Sequence, residues 1–200
     1  MFALKPFQEN TISALKHEFL QLWKTDGENI PLVLKSPTGS GKTIMLAQFL
    51  KDIVSDPRFS GNDVAFVWLT FSEESYVQSK KKLFNFYGGA GELDLIDLND
   101  LSRERLHKNE VFFINWQKIK GQSKDSRRLR RENEQGLSFD AFLEETHLSG
   151  CKTVVIIDEE HIGSDTALAL EVVEGVIKPK ITLRVSATPK YIPRRDICAW

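Results

Sequence analysis

The chain has 200 residues, 41% of them hydrophobic, which is enough for one substantial domain with a buried core. Its 27 Lys and Arg against 28 Asp and Glu leave a net charge of -1, which excludes a global field drawing the protein to nucleic acid or acidic lipid; any nucleic-acid site must be local. The two cysteines, Cys151 and Cys198, are in no metal-binding spacing and too few for a disulfide framework, and no apolar run approaches the roughly 20 residues that cross a bilayer, so a soluble cytoplasmic protein with no membrane partner is expected.

Short β-rich apolar runs alternate with stretches of helical period, which predicts an α/β domain with a mostly parallel central sheet flanked by helices. Ile12, Leu15, Phe19, Leu22 and Trp23 share one face of a helix predicted over 9–24, and a buried strand follows at 30–34. After a Gly/Ser turn a helix begins near Lys42, with Ile44, Leu46, Ala47, Leu50 and Ile53 apolar. The continuous run 64–69 reads as a central strand covered on both faces. A helix over 72–87, ended by Gly88 and Gly89, comes next. Leu93, Leu95, Ile96 and Leu98 suggest a short strand, and 111–114 a firmer one rich in β-branched and aromatic residues. Residues 121–136 have no apolar period and read as an excursion from the core. A helix over 139–148 has Ser138 as N-cap and Asp140 in its first turn. The strongest strand is 153–157, followed by a helix over 167–177 and a last strand at 181–185.

Ser36-Pro37-Thr38-Gly39-Ser40-Gly41-Lys42-Thr43 follows a strand and opens a helix, the context a phosphate-binding loop requires. Its glycines let successive N–H groups turn inward toward a phosphate, and the helix N-terminus adds its positive dipole end. Lys42 supplies charge to the β and γ phosphates of ATP, and the Thr43 hydroxyl is a Mg²⁺ ligand. Ser36 stands where the common form has its first glycine. Asp158-Glu159-Glu160-His161 places carboxylates at the C-terminal tip of the strongest strand, where ligands bind in open α/β sheets. There Asp158 is expected to hold Mg²⁺, and Glu159 to orient the water that attacks the γ-phosphate.

The D-E-E-H tetrapeptide at 158–161 has the D-E-x-H form of motif II, and the chain resembles the DEAD/DEAH-type helicases of superfamily 2 from Phe7 to Thr188. The resemblance implies a RecA-like P-loop NTPase domain. It also implies that Ser186-Ala187-Thr188 is the S-A-T motif, coupling the nucleotide site to the nucleic-acid side together with His161, and that Gln8 reads the adenine edge. The 68–72 segment, with Gln78 beyond it, occupies the place of motif Ia, which in the family contacts a single strand. Asn115-Trp116-Gln117-Lys118 ends a strand with amides, an aromatic face and a cation, suited to sugar-phosphate and base contact. Thr70, Asn115 and Trp116 are therefore the candidate nucleic-acid residues, on one edge of the sheet and displaced from the nucleotide pocket, with a base able to stack on Trp116. This I-N-W-Q-K segment resembles type III restriction enzyme Res subunits more than DEAD-box RNA helicases. A basic stretch follows (Lys118, Lys120, Lys124, Arg127, Arg128, Arg130, Arg131), which is either a solvated face or a phosphate-contacting insertion.

Residues 1–200 are thus expected to form a single RecA-like domain, the first of two in a DNA motor that hydrolyses ATP to move. The second domain, with the arginines that act on the transferred phosphoryl group, is not recognised in this chain, so a fragment or truncated homologue of low intrinsic activity is expected. Restriction or defence is the favoured setting, with a modification (methyltransferase) subunit as a possible partner. A stand-alone repair helicase and a nucleotide-binding scaffold without catalysis are the alternatives.

Overall fold

The computed structural model describes residues 3–88, 93–100, 103–120, 138–158, 171–187 and 196–198. Helix α1 (Pro6–Trp23) leads into strand β1 (Ile30–Lys35), then α2 (Lys42–Val54), β2 (Val64–Thr70) and α3 (Glu73–Tyr87). A short strand β3 (Asp94–Ile96) precedes β4 (Glu110–Asn115) and a one-turn helix α4 (Trp116–Lys120). Helix α5 (Phe139–Leu148), β5 (Lys152–Asp158), a π-helical segment (Glu171–Ile177), β6 (Ile181–Ser186) and β7 (Asp196–Cys198) complete the described elements. The strands form one sheet in the order β3-β4-β2-β5-β6-β1-β7. Every neighbouring pair is parallel.

A parallel sheet needs crossovers that cover both its faces, and the burial pattern shows the result. All seven residues of β2 and all six of β4 are buried. Alternate side chains divide between two cores, as the period of a strand dictates. Leu32, Leu34, Phe66, Trp68, Phe113, Ile156 and Leu183 pack with α1, α2 and α3. Val67, Leu69, Phe112, Ile114, Val155 and Ile157 pack with Phe139, Phe142 and Leu143 of α5 and with Val172 and Ile177 of the π-helical segment. The domain is therefore a helix, sheet, helix sandwich, as the alternating apolar runs predict.

Local chemistry sets the element ends. Helix α1 begins earlier than its apolar period suggests because Pro6 takes the first helical position, where its missing N–H costs nothing. Ser72 and Ser138 cap α3 and α5, their hydroxyls accepting from Ser75 N at 3.0 Å and Ala141 N at 3.1 Å. Gly88 ends α3 in the left-handed region at φ +68°. Of the helix expected over 167–177, the described part closes with a π-type bond from Lys178 N to Val173 O, five residues back, at 2.9 Å. Strand β7 was not foreseen; it is three residues long and, among the described residues, pairs with β1 alone. The excursion expected at 121–136 lies outside the described residues, as does Gly89.

The first core is centred on Phe19, fully buried, whose ring meets Trp23 at 5.9 Å, Phe49 at 5.4 Å and Phe59 at 5.5 Å between centroids. It joins α1, α2 and the loop after α2. Asp56 in that loop ties the same elements electrostatically: Arg58 donates to both its carboxylate oxygens, and Lys16 of α1 reaches Oδ2 at 2.9 Å.

Phe19→Ala should lower unfolding free energy by about 3–5 kcal/mol in urea titrations, since the ring is fully enclosed and the cavity cannot collapse without moving α1. The hydrogen bond from Arg58, then that from Lys16, holds the Asp56 carboxyl well below the usual carboxylate range. A depressed folded pKa stabilises above the unfolded value of about 4 and is lost as pH falls below it. Asp56→Asn should therefore lower the melting temperature at pH 7 and make the acid-side decline shallower.

Candidate nucleotide site

The loop after β1 is pinned at both ends. At its start Ser36 N donates to Ser186 O at the end of β6, 3.0 Å away. Its turn is closed by Ser40, whose N–H and hydroxyl both donate to Pro37 O, at 3.2 and 2.6 Å. Ser36, fully buried, puts its hydroxyl 2.5 Å from that of Ser40, so the residue replacing the expected glycine adds a bond across the loop. Gly39 and Gly41 have φ of +80° and +87°, which L side chains rarely adopt. Gly41 O then accepts from Ile44 N and Met45 N at 2.9 and 3.0 Å, starting α2. The N–H groups of the first turn, Lys42 and Thr43 among them, have no carbonyl within the helix to bind and are available to an anion.

Strand β6 lies between β1 and β5 and pairs with both. Asp158, at the end of β5, is 5% exposed and sits beside Val185, one residue before Ser186, which is itself beside Lys35. The register carries Asp158 to the same edge as the loop. Thr38, Gly39, Gly41, Lys42, Thr43 and Asp158 line one cavity of about 470 Å³. The hydroxyl of Thr43 and the carboxylate of Asp158 are hard oxygen donors of the kind Mg²⁺ takes, and Mg²⁺ needs only one or two protein oxygens when phosphates and water supply the rest. These residues fit a magnesium nucleotide.

The family model for the type III restriction enzyme Res subunit matches residues 1–191. The chain belongs to the type III restriction enzyme Res subunit family. Its Res-family domain is similar in fold to the solved Sulfolobus solfataricus SWI2/SNF2 ATPase core in complex with dsDNA, with a TM-score of 0.58 at 16% identity. That likeness covers 94% of this chain and 32% of the other, so the chain spans about a third of that structure's length. Sequence comparison with curated proteins finds no match. The Res-family chain thus has a RecA-like α/β fold.

Two expectations for this Res-family domain change. Gln8 does not line the cavity: it is buried, its side-chain carbonyl accepts from Lys5 N at 2.9 Å, and its amide donates to Ser40 O at 2.8 Å. Gln8 thus braces the glycine loop from α1 through one acceptor and one donor of its amide. Ser40 likewise turns its hydroxyl into the loop. The second change is at the nucleic-acid edge. Thr70 and Asn115 are register partners on β2 and β4, and Trp116 follows, so the three do share an edge. All are buried, however, at 0%, 1% and 2% exposure. The Trp116 ring packs 6.2 Å from that of Phe71 within the second core and offers no face to a base. Asn115 is a cap: its Oδ1 accepts from Gln117 N at 2.9 Å, and its amide donates to Glu73 at 2.9 Å. Thr70 Oγ1 turns toward Ile114 O at 3.5 Å. The exposed groups at this edge are Gln117 and Lys118, the latter paired with Glu73 at 3.4 Å and 5.4 Å from the centre of the Tyr76 ring.

Glu159, Glu160, His161 and Thr188 lie outside the described residues, as does the basic stretch from Lys124 onward. Ser186 is buried at the end of β6, between the strand that feeds the loop and the strand that ends in Asp158. Sequence inspection missed Ser75, Ser79, Lys82 and Asn85 of α3, which line the same cavity. Their signal was a polar stripe at helical spacing, which reads as solvent-facing when the helix is considered alone.

A Cβ added at Gly41 would lie 2.6 Å from Gln8 Nε2. Gly41→Ala should therefore lower stability by about 1–3 kcal/mol, combining left-handed backbone strain with loss of the Gln8 bonds. In a Gln8→Ala background the same substitution should cost less. A urea-denaturation double-mutant cycle with full additivity would show that the two side chains do not meet.

Proposed function

We infer that this domain binds ATP with Mg²⁺ and, working with a second RecA-like domain, hydrolyses it to move along DNA. The observation that carries the inference is the meeting of the glycine loop, Lys42, Thr43 and Asp158 at one cavity. Lys42 places a cation against the β and γ phosphates, and the loop N–H groups bind their oxygens. Thr43 and Asp158 hold the metal, which when bound neutralises charge developing on the transferred phosphoryl group. Glu159, next after Asp158 in the sequence, orients the attacking water, and His161, Ser186 and Thr188 relay the state of the site toward the nucleic-acid edge.

The fold neighbour was solved with dsDNA, which supports DNA as the track. At the β2 and β4 edge the contact to the sugar-phosphate chain falls to Gln117 and Lys118, with Thr70 and Asn115 shaping the strand ends beneath them. Membership of the Res family supports a restriction or defence setting in the cytoplasm, with a methyltransferase subunit as partner.

Isothermal titration with ADP or ATP and Mg²⁺ tests the site: wild type should bind and Lys42→Ala should not, and equal binding by the two would end the assignment. In a chain that includes the second domain, Glu159→Gln should keep nucleotide affinity while cutting single-turnover hydrolysis by orders of magnitude. Residues 1–200 alone should hydrolyse ATP near the background rate with no stimulation by DNA, because an arginine finger supplied from elsewhere is worth about 10³ to 10⁵ in rate.

A further inference from the structure

The cavity is not built by the glycine loop and β5 alone. Ser75, Gln78, Ser79, Lys82 and Asn85 of α3 line it as well. Their spacings of three and four residues place them on one stripe of the helix, while Leu83, fully buried, anchors another face in the first core. Contacts away from the cavity fix the helix in place. Tyr87 Oη donates to Ala47 O of α2 at 3.0 Å, and Tyr76 and Lys80 both bind Asp97 beyond β3. Helix α3 therefore presents its stripe from a fastened position.

One contact ties the stripe to the chemistry. The Ser79 hydroxyl, in a side chain only 4% exposed, donates to Asp158 Oδ2 at 3.2 Å. The contact links the Asp158 carboxyl group, at the end of β5, to a hydroxyl on a separate, anchored helix. Nearly one turn further on, Lys82 brings a second ammonium to a cavity that already has Lys42. Lys80 is engaged by Asp97, whereas Lys82 makes no ion pair among the described residues. Two cations against the one carboxylate lining the described cavity suit a polyanion larger than one phosphate.

We propose that α3 completes the nucleotide site, with Ser79 a positioning residue that orients the Asp158 carboxylate toward a bound divalent cation and Lys82 a binding residue for the polyphosphate of a nucleoside di- or triphosphate. The proposal rests on the nucleotide assignment of the cavity made above, and it adds a wall that the loop motifs do not contain.

Calorimetric titration of the full chain with ADP, with and without Mg²⁺, separates the roles. Lys82→Ala should weaken ADP binding about tenfold in both conditions, and Lys82→Arg should retain most of it. Ser79→Ala should leave metal-free ADP binding as in wild type while raising severalfold the Mg²⁺ concentration needed to reach half of the metal-dependent gain in affinity. Equal weakening of metal-free and metal-dependent binding by Ser79→Ala, with a lower melting temperature, would make Ser79 a packing residue and overturn its part. Lys42→Ala is run alongside. Should Lys42→Ala lose ADP while Lys82→Ala and Ser79→Ala bind like wild type, the role of α3 falls and the nucleotide site stands; should Lys42→Ala also bind like wild type, the site assignment itself has failed.

Discussion

Every hydrogen-bonded pair of strands in this sheet runs parallel, and that single constraint organises the molecule. Parallel neighbours send all their carboxyl ends to one edge, so Lys35, Thr70, Asn115, Asp158 and Ser186 lie along it. The same constraint demands long crossovers, whose helices bury both sheet faces and leave the ends of the strands as the place where polar groups can collect without being enclosed by core. Ser36, Thr70, Asn115, Asp158 and Ser186 are all buried polar residues at or just beyond a strand's carboxyl end.

Where those groups meet follows from strand order. Because β6 separates β1 from β5, the loop and Asp158 stand two strands apart, with Ser186 between them and its carbonyl bonded to Ser36 N. That spacing leaves room for a cavity between a cationic loop and a carboxylate, which direct pairing of β1 with β5 would bring closer together. Among the described strands, β6 alone pairs with both β1 and β5.

The loop conformation depends on partners remote from it in sequence. Gln8 in the first turn of α1 holds Ser40 O, and a Cβ at Gly41 would displace the Gln8 amide as well as strain a left-handed backbone. Helix α1 is held in turn by the Phe19 cluster and by the Lys16 bond to Asp56. The glycine loop is therefore supported by a packed helix, and its left-handed residues are offset by hydrogen bonds on both sides.

Much of this was legible in the sequence because it depends on local period and local chemistry. Alternation of apolar runs with helical stretches located the main strands, Ser138 announced the start of α5 by its hydroxyl, and the glycine spacing with Lys42 and Thr43 located the loop. Type III Res membership was legible too, since it rests on motif residues in order along the chain. Burial at the strand ends was not. Trp116, Asn115 and Thr70 looked like a ligand edge because aromatic and amide groups at a strand exit suit nucleic acid, but the same groups also suit packing and capping, and only the neighbours Phe71, Gln117 and Glu73 decide between the two. The adenine role of Gln8 came from the family resemblance, whereas its bond to Ser40, 32 residues away, is visible only in the folded chain. The α3 stripe was invisible because a polar helix face reads as solvated until tertiary structure sets it against a cavity. By itself the sequence determined the sheet, the loop and the family; the tertiary structure alone decided which polar side chains remain open to a ligand, because that depends on contacts between residues far apart in the chain.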